Sequence, residues 1–372
     1  MFLSTREMRR APWRFALLTG AVGLLVFLIL FVQALTGALI GQFTGALKHQ
    51  SADVLVYSAQ ARKNLEGSVV PPATVGSIVS VPGVAATGLF GEGTFSVRAA
   101  DKLRDAALIG YELGKPGAPT SLTQGRLPRA AFEAVASSRN RAEGFAVGDQ
   151  VQLEKGGRRV TVVGLADDVN YSVLPTMYVT FDTYATARAD ASPGATTVWP
   201  SAVAVEVVRG ASPNTVRDAI NARVAGVQAL TRDQAVKESP GVASVGESLG
   251  AVVFLCFFVV AIVAGLFFLI LTVQKASALT LLRAIGIRAG VLARSLLVQV
   301  VAVVAGGVAI GGALTKGALA ASSASLGATL TARQLAQTGA IVFVLAVVAS
   351  LGAIRRVLRI EPIRATIPGD VA

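Results

Sequence analysis

Residues 249–273 read LGAVVFLCFFVVAIVAGLFFLILTV, 25 positions without a charged side chain. A helix needs roughly 20 consecutive apolar residues to cross the hydrocarbon core of a bilayer. Only helices and closed barrels satisfy their backbone groups in that medium. The run shows none of the polar–apolar alternation of a barrel strand, so it predicts a transmembrane helix. Three further runs have the same texture: Phe15 to about Ile40, interrupted only by Gln33 and two threonines, then Ser295–Thr315 and Gln334–Ile354. The first of these exceeds the 7–15 residues of a signal-peptide core, which makes it a span rather than a cleaved leader. Bulk composition agrees. The 372 residues are 53% hydrophobic and only 15% charged, against about 25% charged in an ordinary soluble domain.

The formal charge of +12 is concentrated beside the apolar runs. Arg6, Arg9, Arg10 and Arg14 precede the first; Lys275, Arg283, Arg288 and Arg294 lie between the second and third; Arg355, Arg356, Arg359 and Arg364 follow the fourth. Basic residues collect on the cytoplasmic side of short membrane loops. Three cytoplasmic segments require four spans, with both termini inside. This placement assigns the charge to topology and not to nucleic acid.

The chain then divides as follows: 1–14, a cytoplasmic elbow helix (Phe2 to Trp13) ended by Pro12; 15–41, transmembrane helix one; 42–244, an extracytoplasmic domain; 245–273, transmembrane helix two; 274–294, a cytoplasmic segment; 295–315, transmembrane helix three; 316–333, an outer loop; 334–354, transmembrane helix four; and 355–372, a cytoplasmic tail.

The extracytoplasmic part holds most of the acidic residues and many short β-like runs. Strands are predicted at Val54–Tyr57, Thr94–Arg98, Ala107–Tyr111, Glu133–Ser137, Gln150–Glu154, Arg159–Leu165, Met177–Thr183 and Val203–Val208, several with the alternation of a half-buried strand. A helix is predicted from Ser212-Pro213, serine at the cap and proline at the first helical position. Val216, Ile220 and Val224 form its apolar stripe, and Thr74–Val81 is a second helix candidate. The whole reads as an α+β domain large enough for its own core.

No His-Glu-x-x-His or Cys-x-x-Cys occurs, and Gly-x-x-x-x-Gly-Lys-[Ser/Thr] is missing from the chain, which excludes those catalytic classes and a self-contained P-loop ATPase. One cysteine, Cys256, and one histidine, His49, exclude an intrachain disulfide and argue against a zinc site. Cys256 reads as a small packing residue, His49 as a solvated residue just outside the membrane, and Asp167-Asp168 as a solvated loop pair.

After the second apolar run the sequence continues Gln274-Lys275-Ala276-Ser277-Ala278-Leu279-Thr280-Leu281-Leu282-Arg283-Ala284-Ile285-Gly286-Ile287-Arg288. Its apolar positions and basic flanks suit a short amphipathic helix on the inner membrane surface. The segment resembles the coupling segment of MacB/FtsX-type ABC transporter permeases, with its Leu-(Lys/Arg)-Ala-(Ile/Leu)-Gly run. Arg359-Ile360-Glu361-Pro362-Ile363-Arg364-Ala365 resembles their basic tail. Val81-Pro82-Gly83-Val84, Gly125-Arg126-Leu127-Pro128 before Glu133-Ala134-Val135-Ala136, and Val147-Gly148-Asp149-Gln150-Val151 before Val160-Thr161-Val162-Val163-Gly164-Leu165 resemble turns and strands of the MacB-type periplasmic core domain.

The resemblance implies an integral membrane α-helical permease, four transmembrane helices with an inserted α+β extracytoplasmic domain of MacB-type periplasmic core character, in the bacterial cytoplasmic membrane. It implies a non-catalytic subunit, paired with a second permease copy and two copies of a separate ATPase that binds ATP and magnesium. Leu281, Leu282, Arg283, Ala284, Ile285 and Gly286 would couple to that ATPase, and motion would pass to the outer domains without a central pore.

Around Phe267-Phe268 and Thr272-Val273-Gln274-Lys275 the chain most resembles heme-efflux permeases of Gram-positive bacteria. That resemblance implies efflux of a hydrophobic or amphipathic compound from the outer leaflet, heme first among them. Glu247, two residues before the apolar run, is a candidate iron ligand, since a carboxylate at that depth is costly unless used or solvated. Glu66 is a second candidate, and Phe254 and Phe258 would line the pocket. Helix two carries no histidine, methionine or tyrosine, unlike a familiar heme site. The alternatives are an FtsX-like mechanotransmitter regulating an extracellular cell-wall hydrolase, and a lipoprotein-handling permease.

Overall fold

The computed structural model describes residues 12–192, 194, 197–274, 289–326, 328 and 330–358. These form two compact units, one within residues 39–246 and one made of the described residues of 12–38 and 247–358. The elbow segment before Pro12, the coupling residues Leu281 to Gly286 and the tail motif Arg359–Ala365 lie outside the described residues.

Four helices are long and apolar enough to cross a membrane: α1 (Pro12–Lys48), α6 (Val242–Gln274), α7 (Ala289–Leu326) and α8 (Ala332–Leu358). In the helical unit, α1 and α7 approach through small residues. A Cβ on Gly307 would lie 2.6 Å from Val22 Cγ1, and one on Gly311 would lie 2.7 Å from Val26 Cγ1. This is the spacing by which glycines four apart let membrane helices pack closely. Val22, Val26, Ile29, Val260, Val303 and Val342 are buried in the shared core. Cys256 belongs to that core, as its reading as a packing residue predicts.

The inserted unit carries a ten-stranded sheet in the order β10-β1-β9-β2-β3-β8-β5-β7-β4, with β6 pairing β2 and β7. The strands are β1 Val54–Ser58, β2 Val84–Ala99, β3 Lys102–Tyr111, β4 Leu122–Gly125, β5 Glu133–Ser137, β6 Gln150–Leu153, β7 Arg159–Ala166, β8 Thr176–Thr180, β9 Ala202–Val207 and β10 Val227–Thr231. Pairing is antiparallel except for β3 with β8 and β5 with β7. The helices are α2 (Pro72–Val79), α3 (Phe181–Ala191), α4 (Pro213–Arg223) and α5 (Arg232–Lys237).

The structure corrects several expectations. The strand predicted through Thr183 stops at Thr180, whose hydroxyl accepts from Thr183 N at 3.3 Å and caps α3. Ser212 stands at the cap of α4 without a side-chain cap bond, although Pro213 opens the helix as expected. The strand predicted from Thr94 begins at Val84 and runs through Gly88, Gly91 and Gly93. These glycines do not break the strand; they make room for what packs on it. A Cβ on Gly110, opposite Gly91 in β3, would lie 2.5 Å from Tyr184 Cβ, and one on Gly91 would enter the Tyr184 ring.

The motif turns have specific geometry. Gly83 takes φ +92° and packs under Val216, and Gly125 takes φ +74° before the paired Arg126 and Glu133. Asp149 Oδ2 accepts from Ala146 N at 2.8 Å. Asp167 and Asp168 are exposed but partnered: Asp167 accepts from Ser138 Oγ, and Asp168 lies 3.6 Å from Arg139. His49 is half-buried rather than solvated. Burial, followed by the charge of Lys48, lowers its pKa.

Candidate functional site

The inserted unit opens a cleft of about 410 Å³ lined by residues including Glu66, Tyr184, Arg188, Trp199 and Ser201. It forms where the sheet is incomplete. β9 pairs with β2 from Val84 to Phe90, and β6 joins β2 at Val97 and Arg98, so residues 91–96 have no strand on that edge. Side chains take over the missing pairing. Ser201 Oγ accepts from Glu92 N at 3.0 Å, and Tyr184 Oη donates to the Glu92 carbonyl at 2.9 Å. The glycines at 91 and 110 admit the Tyr184 ring that makes this bond.

Glu92 is the electrostatic centre of this region. The residue is 2% exposed, and neither carboxylate oxygen has a hydrogen-bond partner among the described residues. Burial first and nearby Glu66 second, opposed by Arg188, push its carboxyl up to about 8. An isolated buried carboxylate is expensive, so the group stays protonated instead. Glu92 is therefore a neutral acid at pH 7 with a proton to donate. Tyr171 and Tyr57 share this interior, and burial raises both phenols. The sequence reading did not single out Glu92. Its only local signal is an acidic residue between two glycines in Gly91-Glu92-Gly93, and nothing in that triplet reveals burial.

Glu66 is exposed at the cleft, where its Oε1 accepts from Ser172 Oγ at 3.3 Å. The other predicted cargo residues belong to the helical unit. Glu247 is exposed three residues inside the candidate span Ser244–Leu266. Phe254 and Phe258 are 73% and 56% exposed. Spacings of seven and four residues put Glu247, Phe254 and Phe258 on one face of α6. The two aromatic side chains thus face outward from the four-helix core and do not fill it. Among the described residues no group of three His, Cys, Asp or Glu side chains is placed to hold a metal ion.

Four apolar helices of spanning length, with an α+β domain inserted between the first and second, make this an integral membrane protein. No family model matches the chain. Among solved structures it is similar to the periplasmic region of MacB from Actinobacillus actinomycetemcomitans, at 12% identity and TM-score 0.35, over 49% of this chain and 90% of that one. It is also similar to the extracellular domain of the noncanonic ABC-type transporter YknZ from Gram-positive bacteria, at 16% identity and TM-score 0.34, over 48% of this chain and 99% of that one.

Proposed function

We propose that this chain is the permease subunit of a MacB/FtsX-type ABC transporter, driven by a separate cytoplasmic ATPase, that extrudes a hydrophobic or amphipathic compound. The architecture supports the permease reading: an α+β domain of residues 39–246 interrupts a set of four membrane helices, and the sequence supplies no nucleotide-binding loop of its own. Residues Leu281 to Gly286 would receive the ATPase, and two permease copies would act together. ATP-driven closure of the ATPases would then move the inserted domains, with no cargo passing through a central pore.

One observation carries the cargo reading. Glu247, Phe254 and Phe258 are exposed on a single face of α6, a carboxylate at the end of an aromatic stripe. A flat amphipathic molecule entering from lipid would stack on the phenylalanines and present its polar or metal centre to the carboxylate. Heme is the leading case, with Glu247 as the iron ligand.

The experiment is a hemin titration of the full-length protein in detergent, followed by the Soret band. The expected result is a saturable shift, weakened about tenfold or more by Glu247→Ala, a loss of about 1.4 kcal/mol or more. No shift, or equal binding by the variant, rejects heme at this face. Replacing Gly286 by leucine tests the permease reading separately. In the assembled complex it should leave ATP hydrolysis running while export stops, and normal export would contradict the coupling role.

A further inference from the structure

In the helical unit a groove of about 640 Å³ runs between α7 and α8. Its α7 wall is one helix face: Val301, Val308 and Gly312 recur at turn spacing and lead to Lys316, and Leu335 and Phe343 of α8 form the other side. The floor is where the helices touch, since a Cβ on Gly312 would lie 3.0 Å from Leu335 Cδ1 and one on Gly339 would lie 3.4 Å from Val308 Cγ1. From Val301 to Lys316 the rise of α7 covers about 22 Å. One leaflet of hydrocarbon is about 15 Å deep. The groove is thus long enough for an extended acyl chain, and its volume falls within the range of small-molecule sites.

The charge at its end is unusual. Lys316 is exposed and sits five residues inside the Ala321 end of the candidate span Leu297–Ala321. From Ser248 to Ile360 the sequence contains no aspartate or glutamate, so neither α7, α8 nor the segment joining them can neutralise it. Arg333, two residues before Leu335 and also exposed, adds a second cation near the start of α8. An ammonium at the edge of hydrocarbon is costly without a counter-charge, and basic pockets between membrane helices favour anionic lipid head groups.

We propose that the α7–α8 groove is a binding site for an anionic phospholipid, with one acyl chain along Val301–Gly312 and the phosphate at Lys316. The site is separate from the α6 face and does not depend on the cargo reading.

Native mass spectrometry of the full-length protein, exchanged into micelles doped with phosphatidylglycerol or with phosphatidylcholine of the same acyl chains, tests it. The wild type should retain phosphatidylglycerol about fivefold better, and Lys316→Ala should lose that preference. Ala309→Phe, at an exposed groove position, should reduce retention of both lipids without disturbing the helix core. Equal retention of the two lipids by the wild type, or an unchanged preference in Lys316→Ala, overturns the proposal. So would efficient disulfide formation between two copies carrying Ala309→Cys in a Cys256→Ala background, because a second permease copy would then occupy the groove.

Discussion

Gly91 and Gly110 of the inserted domain open a slot for the ring of Tyr184, and in the helical unit Gly307 and Gly311 receive Val22 and Val26. Both pairs bring backbones and side chains closer than a Cβ would permit, but the partner differs with the solvent. In the inserted domain the partner is an aromatic ring whose hydroxyl reaches the Glu92 carbonyl left open at the gap in the sheet. Between membrane helices the partner is aliphatic, because helix backbones there are already satisfied and contact itself holds the pair together. Polar side chains are used in more than one way, and in the helical unit Thr338 Oγ1 donates across to Gln33 Oε1 at 3.1 Å. Tyr178 Oη donates across the fold to the Ala46 carbonyl at 2.6 Å, whereas Thr36 and Thr315 donate back to carbonyls one turn earlier in their own helices.

The largest expected effect breaks the aromatic version of this device. Gly91→Val drives a branched side chain into the Tyr184 ring and should cost about 3 kcal/mol or more. Thermal unfolding and limited proteolysis of the full-length protein in detergent read it out; wild-type stability would mean that the slot is not tight.

Glu92→Gln tests the charge that the slot helps to enclose. Folding raises this carboxyl from 4.5 to about 8, so the stability that Glu92 contributes as a neutral group is fully present below about pH 4.5 and is lost as pH rises through about 8. The loss reaches up to about 3 kcal/mol at pH 7. Glu92→Gln should flatten melting temperature against pH across that window. A wild-type profile already flat between pH 5 and 8 would place Glu92 in contact with water or a counter-charge.

The smallest effect belongs to the helices. Gly311→Leu separates α1 from α7 and should cost about 2 kcal/mol, since whole helices can shift to relieve overpacking. It should lower the detergent melting temperature while leaving the protease pattern of the inserted domain unchanged; an unchanged melting temperature would mean that the α1–α7 contact is not tight.

Much of the fold was legible along the chain. Long uncharged runs announced the four helices, and β5 appeared with its observed ends because Glu133–Ser137 is compact and buried. What escaped was short, exposed or disguised. β4 is four exposed residues with no apolar alternation, and α5 is a six-residue helix whose capping box, Thr231 with Gln234, follows directly on a strand. β2 is predicted only in its second half, and the part that escaped carries Gly88, Gly91 and Gly93, whose meaning lies in what packs on them. Of the candidate site, Glu66 lines the cleft but was expected beside a heme on the α6 side, and Glu92 and Arg188 carry no local signal, since each takes its meaning from residues far away in sequence.

The sequence by itself determined the four membrane helices, their apolar lengths and a membrane segment without acidic residues. These are properties of composition within a single stretch, and lipid reads them one stretch at a time. Tertiary structure alone decided the sheet order, the gap beside β2 and the protonation of Glu92. That outcome rests on contacts such as the bond from Glu92 N to Ser201 Oγ, 109 residues apart. A carboxylate's pKa depends on what surrounds it in space, and no local pattern encodes which distant chain will remove its water.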